Sequence, residues 1–252
     1  MQKLIYVDIP PVAAVSQGGL TSTKEDYRGI SFYLAAEEYV ARALPAANYF
    51  FMWQVEPSVI FGRNQVVDNE VNLAYCEAHG IRTYRRKSGG GCVYADMSNV
   101  MLSYITPEDR VKETFAYYLR MASETLKSIG IDAHPSGRND IMLGDRKVSG
   151  NAMYHFPGRV IAHGTLLYDT DMENMLHAIT PSRTKLSKHG VESVRQRICL
   201  LKDYTDLSLE EIKRRIRDHL CGSNVVALNA SDIRSIRLIE REYLDPRFIF
   251  GQ

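Results

Sequence analysis

No stretch of this chain approaches the roughly 18 consecutive apolar residues of a membrane-spanning helix. The opening Met1-Gln2-Lys3-Leu4-Ile5-Tyr6-Val7-Asp8 is also too short an apolar run for a secretory leader. Cysteine is scarce: four residues, Cys76, Cys92, Cys199 and Cys221, stand far apart with no C-x-x-C pair. That spacing argues against a structural zinc site and a disulfide framework, and a reduced, cytoplasmic protein is the expectation. Charge of one sign is lacking as well, since 31 Lys and Arg nearly balance 30 Asp and Glu for a formal charge of +1. Such a chain has no global attraction for nucleic acid or an anionic membrane, so neither is expected as a partner. Three nucleotide-site patterns are missing: G-x-x-x-x-G-K-[ST], G-x-G-x-x-G opening a helix, and H-x-E with C-x-x-C.

What is present is enough to build a large core: 252 residues with 45% hydrophobic and 24% charged content. We expect one domain over residues 1–252, with no repeat, low-complexity tract or linker. Lys3 to Ile9 reads as a strand and Ser16 to Lys24 as a mobile loop. A helix is expected over Ile30 to Arg42, with Ser31 as a cap, Glu37-Glu38 on its surface and Pro45 as its stop. Tyr49 to Val55 and Ser58 to Gly62 read as a hairpin-like pair of strands broken at Pro57. Val71 to His79 suits a helix capped by Gly80, and Lys112 to Ser128 is the clearest amphipathic helix. Strands are expected at Ile81 to Tyr84, Val100 to Ile105 and Val160 to Tyr168. A hairpin is expected from Asp140 to Ser149 around Gly144-Asp145-Arg146. Helices then follow at Leu207 to Leu220 and Ser231 to Tyr243. The pattern gives an α+β fold, a mostly antiparallel sheet flanked by helices.

The feature richest in chemistry is Arg85-Arg86-Lys87-Ser88-Gly89-Gly90-Gly91-Cys92-Val93-Tyr94. Glycines let backbone N–H groups approach a ligand, and Arg supplies planar donors suited to phosphate or carboxylate. A solvated basic loop is the plainer reading of the same residues. Lys147, beside a tight turn and before Val148-Ser149-Gly150-Asn151-Ala152, is a second candidate: a compact cation that can follow a carboxylate and then a phosphate. Asp140 could hold magnesium or orient Lys147, or could simply form the turn. His163, in the apolar stretch His163-Gly164-Thr165-Leu166-Leu167, is more simply a hydrogen-bonded core residue. Cys92 could be a nucleophile, but with no His or Asn partner nearby a packed thiol is the simpler reading. Lys213-Arg214-Arg215 reads as a wet helix face.

Taken in order, these segments resemble the lipoate-protein ligase A family, within the wider biotin and lipoate ligase group. Trp53-Gln54, Pro57 to Ile60, Gly62-Arg63-Asn64-Gln65 and Glu70-Val71-Asn72 resemble its N-terminal strand and helix. Arg85 to Gly91 matches its R-R-x-S-G-G-G signature, followed by Asp96 and Asn99. Gly137 to Asp140, Lys147 to Ala152 and His163 to Leu167 complete the set, with Lys188, Gly190-Val191 and Ser193-Val194 resembling a further segment. The resemblance implies a biotin/lipoate ligase-like catalytic domain that activates lipoate with ATP and Mg2+ to lipoyl-AMP. It would then pass the lipoyl group to a lysine of a lipoyl domain. The implied acceptors are 2-oxoacid dehydrogenase acyltransferase subunits and the glycine cleavage H protein.

By the same resemblance Lys147 is the catalytic cation. Arg86, Ser88, Gly89, Gly90, Gly91, Cys92, Val93, Tyr94, Asn99, Asp140, Ser149, Gly150, Ala152, His163 and Thr165 would bind ATP or lipoyl-AMP, and Asp140 is the candidate metal ligand. Cys92, Ala95 and Ser98 depart from the family's usual small residue, His and Gly. Phe248 to Gln252 resembles the close of the catalytic domain, so a missing accessory domain is an expectation too, with three readings open: a separate accessory subunit for activation, use of preformed lipoyl-AMP, or a ligase that works alone. The nearest rival is an octanoyl or lipoyl transferase using a cysteine thioester, whose nucleophile would fall in His134-Pro135-Ser136-Gly137, where no Cys stands. A biotin ligase would need a Gly-Arg-rich adenylate loop, which is missing. A binding module without turnover would not need Lys147.

Overall fold

The computed structural model describes residues 3–11, 27–108, 110–179 and 197–251. The expected loop at Ser16 to Lys24 and the segment containing Lys188, Gly190, Val191, Ser193 and Val194 lie outside the described residues.

The architecture rests on an eight-stranded mixed sheet. Its strands are β1 (Ile5–Asp8), β2 (Tyr49–Trp53), β6 (Asn99–Thr106), β7 (Ala133–Pro135), β8 (Asp140–Leu143), β9 (Arg146–Phe156), β10 (Arg159–Leu167) and β11 (Val225–Ala227), in the order β11-β1-β2-β6-β10-β9-β8-β7. Only the β1–β11 and β1–β2 pairs are parallel; the others are antiparallel. Side chains alternate across the pleat, so one strand feeds two cores. Phe50, Leu102 and Tyr104 face the helices α4 (Val111–Ser128) and α6 (Leu209–Leu220). Tyr49, Phe51, Met101 and Ile105 face α1 (Ile30–Ala43) and α7 (Ala230–Tyr243).

A smaller sheet, β4-β3-β5, joins β3 (Ser58–Phe61) to β4 (Arg82–Arg85) in parallel and to β5 (Val93–Ala95) in antiparallel. It packs with α2 (Val67–Glu70), α3 (Leu73–Ala78), α5 (Met172–Ala178) and α8 (Pro246–Phe250) around Val59, Phe61, Cys76, Tyr94 and Ile249. The expected β2–β3 hairpin is therefore corrected: the two strands belong to different sheets. Pro57, lacking an N–H, sits at the crossing and its carbonyl accepts Arg82 N–H. The helix expected over Val71 to His79 begins at Leu73, because Asn72 caps it by accepting Tyr75 N–H.

Helix α1 departs most from expectation. Ser31 is inside the helix, not its cap, and donates to Glu240; Glu37 and Glu38 are fully buried rather than on the surface. Helix α7 covers the face of α1 that carries Glu38, whereas Glu37 on the other face is closed in by the sheet, against Ser103 of β6 and His163 of β10. Buried carboxylates persist only with partners. Glu37 accepts from His163 and Ser103; Glu38 accepts from Tyr243, Lys87 and Arg42.

Candidate active site

A cavity of about 310 Å³ lies between the run after β4 and the centres of β9 and β10. One end is apolar, walled by Leu34, Trp53, Ile60 and Met101, with Trp53 stacked on Tyr33 at 4.9 Å between ring centroids. Lys147, Asp140, Asn139 and Asn151 make a polar part of the wall, and Glu70 also lines it. Among the expected site residues, Arg86, Gly90, Gly91, Cys92, Val93, Asp140, Lys147, Gly150, Ala152, His163 and Thr165 line it.

Lys147 reaches Asp140 at 2.8 Å, and a bulge in β9 makes this possible. Ile141 pairs with Ser149 but Met142 with Lys147, leaving Val148 as the extra residue. In a regular strand residues 147 and 150 would face opposite sides; the bulge puts Lys147 and Gly150 on one face. Asp140 pairs directly with Gly150, and a Cβ on Gly150 would stand 2.8 Å from Lys147 Nζ. Glycine here makes room for the lysine side chain. Gly164 does the same for Asn151, whose Oδ1 lies 1.8 Å from the place its Cβ would take. Asn151 Nδ2 donates to Asn139 O, and Asn139 Nδ2 donates back to Asn151 O, which fastens the start of β8 to β9.

The three cations before the glycines part company. Arg85 donates to Gly62, Arg63 and Gln65 carbonyls and to Ile249 O of α8. Lys87 pairs with Glu38 at 2.7 Å and with Glu242 of α7 at 2.8 Å. Arg86 turns inward: Nε donates to Ser88, Nη1 to Ile60 O, and Nη2 to Gly89 O and Gly91 O, occupying four of its five N–H groups. Burial pushes its pKa down to about 10, so it stays a cation at neutral pH. The solvated-loop reading is thus replaced by a cross-linked loop. Because a trans peptide sets C=O and N–H in opposite directions, carbonyls 89 and 91 turned onto Arg86 turn the N–H groups of Gly90 and Cys92 away from it.

Five expected site residues do not reach the cavity wall. Ser88 is buried behind it, bonded to His163 and Arg86, and Gly89 offers its carbonyl to Arg86. Tyr94 follows cavity-lining Val93 on a strand and so points to the opposite side, into the core of the smaller sheet. Asn99 accepts from Thr170, and Ser149 bonds to Asn151. Burial pushes the Cys92 thiol up to about 12, so it is no thiolate at neutral pH. His163 lines the cavity with both ring nitrogens engaged, the hydrogen-bonded state expected of it. Leu34, Glu70, Met101 and Ile179 also line the cavity and are not among the expected site residues. Among the described residues no group of three or more His, Cys, Asp or Glu is set to hold a metal ion.

The model for the lipoyl protein ligase A/B catalytic domain matches residues 30–221. The chain belongs to this family. Among curated relatives, lipoate–protein ligase 1 of Staphylococcus aureus is 38% identical over 77% of this chain and 60% of its own length. The lipoate-protein ligase LplJ of Bacillus subtilis is 34% identical over 83% of this chain and 66% of its own. The chain therefore spans about two thirds or less of these relatives' length. A Thermoplasma acidophilum protein solved with lipoic acid superimposes with a TM-score of 0.79 at 20% identity, over 100% of both chains. A lipoate-protein ligase A bound with ATP does so with a TM-score of 0.79 at 21% identity, over 99% of both. At that identity these structures show the shared fold. Among the described residues no helix is long and apolar enough to cross a membrane.

Proposed function

We propose that this cavity activates lipoate with ATP and passes the lipoyl group to a lysine of a lipoyl domain. The observation that carries this reading is Lys147, paired with Asp140 and facing the cross-linked glycine loop across a cavity with one apolar end. The names of the curated relatives support it. The apolar end, with Trp53 and Met101, suits a hydrocarbon chain, and the polar part suits two anions.

A carboxylate oxygen must attack the α-phosphorus of ATP, expelling pyrophosphate and forming a mixed anhydride. Both reactants are negative, so the site must offset their repulsion before the bond forms. Lys147 would contact the carboxylate and α-phosphate together, its ammonium held by Asp140. The N–H groups of Gly90 and Cys92 donate to phosphate oxygens. Magnesium takes one or two carboxylates plus phosphate oxygens, a demand that Asp140 can meet without an acidic cluster. It would supply further charge neutralisation on the phosphates. In the second step a lysine amine attacks the acyl carbon and AMP leaves. The protein's contribution there is to position the amine and exclude water from the anhydride. Acyltransferase subunits of 2-oxoacid dehydrogenases and the glycine cleavage H protein are the proposed acceptors, in a cytoplasmic setting.

The test mixes the purified chain with ATP, magnesium, lipoate and an unmodified lipoyl domain, and reads the acceptor's mass. Lipoylation that Lys147→Ala abolishes is the expected result, and undiminished pyrophosphate release by that variant would refute the assignment. If the acceptor gains nothing, synthetic lipoyl-AMP decides: transfer places activation on a separate subunit, and continued silence overturns the proposal.

A further inference from the structure

Three cavity-lining side chains, Trp53, His163 and Arg86, are joined behind the wall by buried Ser103, Glu37 and Ser88 into one hydrogen-bonded line. Trp53 Nε1 donates to Ser103 Oγ at 2.9 Å, and Ser103 donates to Glu37 Oε1 at 2.6 Å. Glu37 Oε2 lies 2.9 Å from His163 Nδ1, and His163 Nε2 lies 2.7 Å from Ser88 Oγ. Ser88 Oγ in turn accepts Arg86 Nε–H at 3.0 Å. Glu37, Ser88 and Ser103 are fully buried, and Trp53, His163 and Arg86 keep at most 5% of their surface.

We propose that Glu37 and His163 are positioning residues that set the shape of the glycine-rich loop through Ser88 and Arg86, and thereby its affinity for an anion. The effect on ATP rests on the function proposed above; the effect on the loop does not.

Counting protons fixes the direction of the line. Glu37 can only accept from Nδ1–H, and the Ser88 hydroxyl proton has no acceptor except Nε2 among its hydrogen bonds. Nδ1 therefore donates to Glu37 and Nε2 accepts from Ser88. Ser88 donates to it and keeps its lone pairs toward Arg86.

The loop needs this help because its sequence cannot hold a shape. Three successive glycines have little backbone preference, and Gly90 sits at φ +91°. What fixes their peptides is Arg86, gripping the carbonyls of Gly89 and Gly91 while anchored to Ile60 O of β3. A guanidinium is planar, so loss of its Nε contact lets the whole fork rotate and both carbonyls go with it. Turning those peptides withdraws the N–H groups of Gly90 and Cys92. Neither Glu37 nor Ser88 lines the cavity, so their action is through Arg86.

The experiment measures amide hydrogen exchange in the ligand-free protein and, separately, ATP steady-state kinetics. In Ser88→Ala, exchange within residues 88–93 should rise about tenfold while β6 and β10 stay unchanged. Glu37→Leu, which removes the acceptor of Nδ1–H, should match Ser88→Ala. For ATP, KM should rise about tenfold in Ser88→Ala with kcat changed far less. Unchanged exchange in 88–93, or a rise spread equally over β6 and β10, would overturn the proposal. Raised exchange with unchanged ATP KM would overturn the link to anion affinity, and the acceptor-mass assay decides the underlying function independently.

Discussion

Gly150→Ala separates the position of Lys147 from the stability of the fold. An ideal Cβ at residue 150 would stand 2.8 Å from Lys147 Nζ and 2.9 Å from Cε, where real contacts of that kind do not occur. The ammonium must retreat by roughly 1 Å to regain van der Waals distance, and its 2.8 Å pair with Asp140 is broken or re-aimed. The atoms struck are the free end of a flexible side chain, so the backbone has no need to move. Gly150 is not among the described glycines with positive φ, so alanine adopts its conformation without strain. Replacing a flexible residue also lowers the entropy of the unfolded chain, so stability should be unchanged or higher by about 0.5 kcal/mol. A misplacement near 1 Å at a reacting group costs about 10²-fold in rate. Pyrophosphate release gives kcat for adenylation, and a urea melt gives stability. A kcat within threefold of the parent would refute the placement of Lys147 as the decisive cation. A fall of more than about 1 kcal/mol would show that the Cβ meets something stiffer than a lysine tail.

Gly62→Ala should behave in the opposite way: its Cβ would fall 2.0 Å from Gly90 O, which is backbone, so the glycine loop itself must shift. Urea denaturation should show a loss of about 1–3 kcal/mol together with weakened ATP binding, and a parent-like midpoint would contradict it. The raised Cys92 pKa of about 12 means that its protonated form persists through the neutral range and is lost only as pH approaches that value. Iodoacetamide should hardly label Cys92 at pH 8, and Cys92→Ala should keep its activity. Rapid labelling or loss of turnover would revive the thioester mechanism. Lys87→Met removes one of the partners of buried Glu38 and should cost about 2 kcal/mol by urea melt, with no change in midpoint counting against the pairing.

The Lys147 hairpin was legible because its turn is written in short-range terms: Gly144, at φ +58°, lies between two β-prone runs. The long helix α4 was legible for the same reason, its apolar stripe being local. Glu37 and Glu38 were not, since adjacent acids on a helix ordinarily face water. For Glu38 the answer lies in α7, about two hundred residues later, and for Glu37 in Ser103 and His163 of the sheet. For Arg86 the sequence gives the charge but not the carbonyls that surround it. The side-chain direction of Tyr94 follows from a local rule, since a strand sends successive side chains to opposite faces. The bulge at Val148 has the reverse character: nothing in the residue types announces it, yet it places Lys147 over Gly150.

Arg85 and Lys87 reach past the region by which the family is recognised. That region closes at residue 221, whereas the Ile249 carbonyl and the Glu242 carboxylate that hold these two side chains lie well beyond it. A fragment cut at the boundary of similarity would keep every cavity-lining residue. It would also keep two cations at the base of the glycine run that had lost their outer anchors, one of them a buried guanidinium. The smallest piece able to hold the loop in its present form is therefore longer than the piece that carries the family signature.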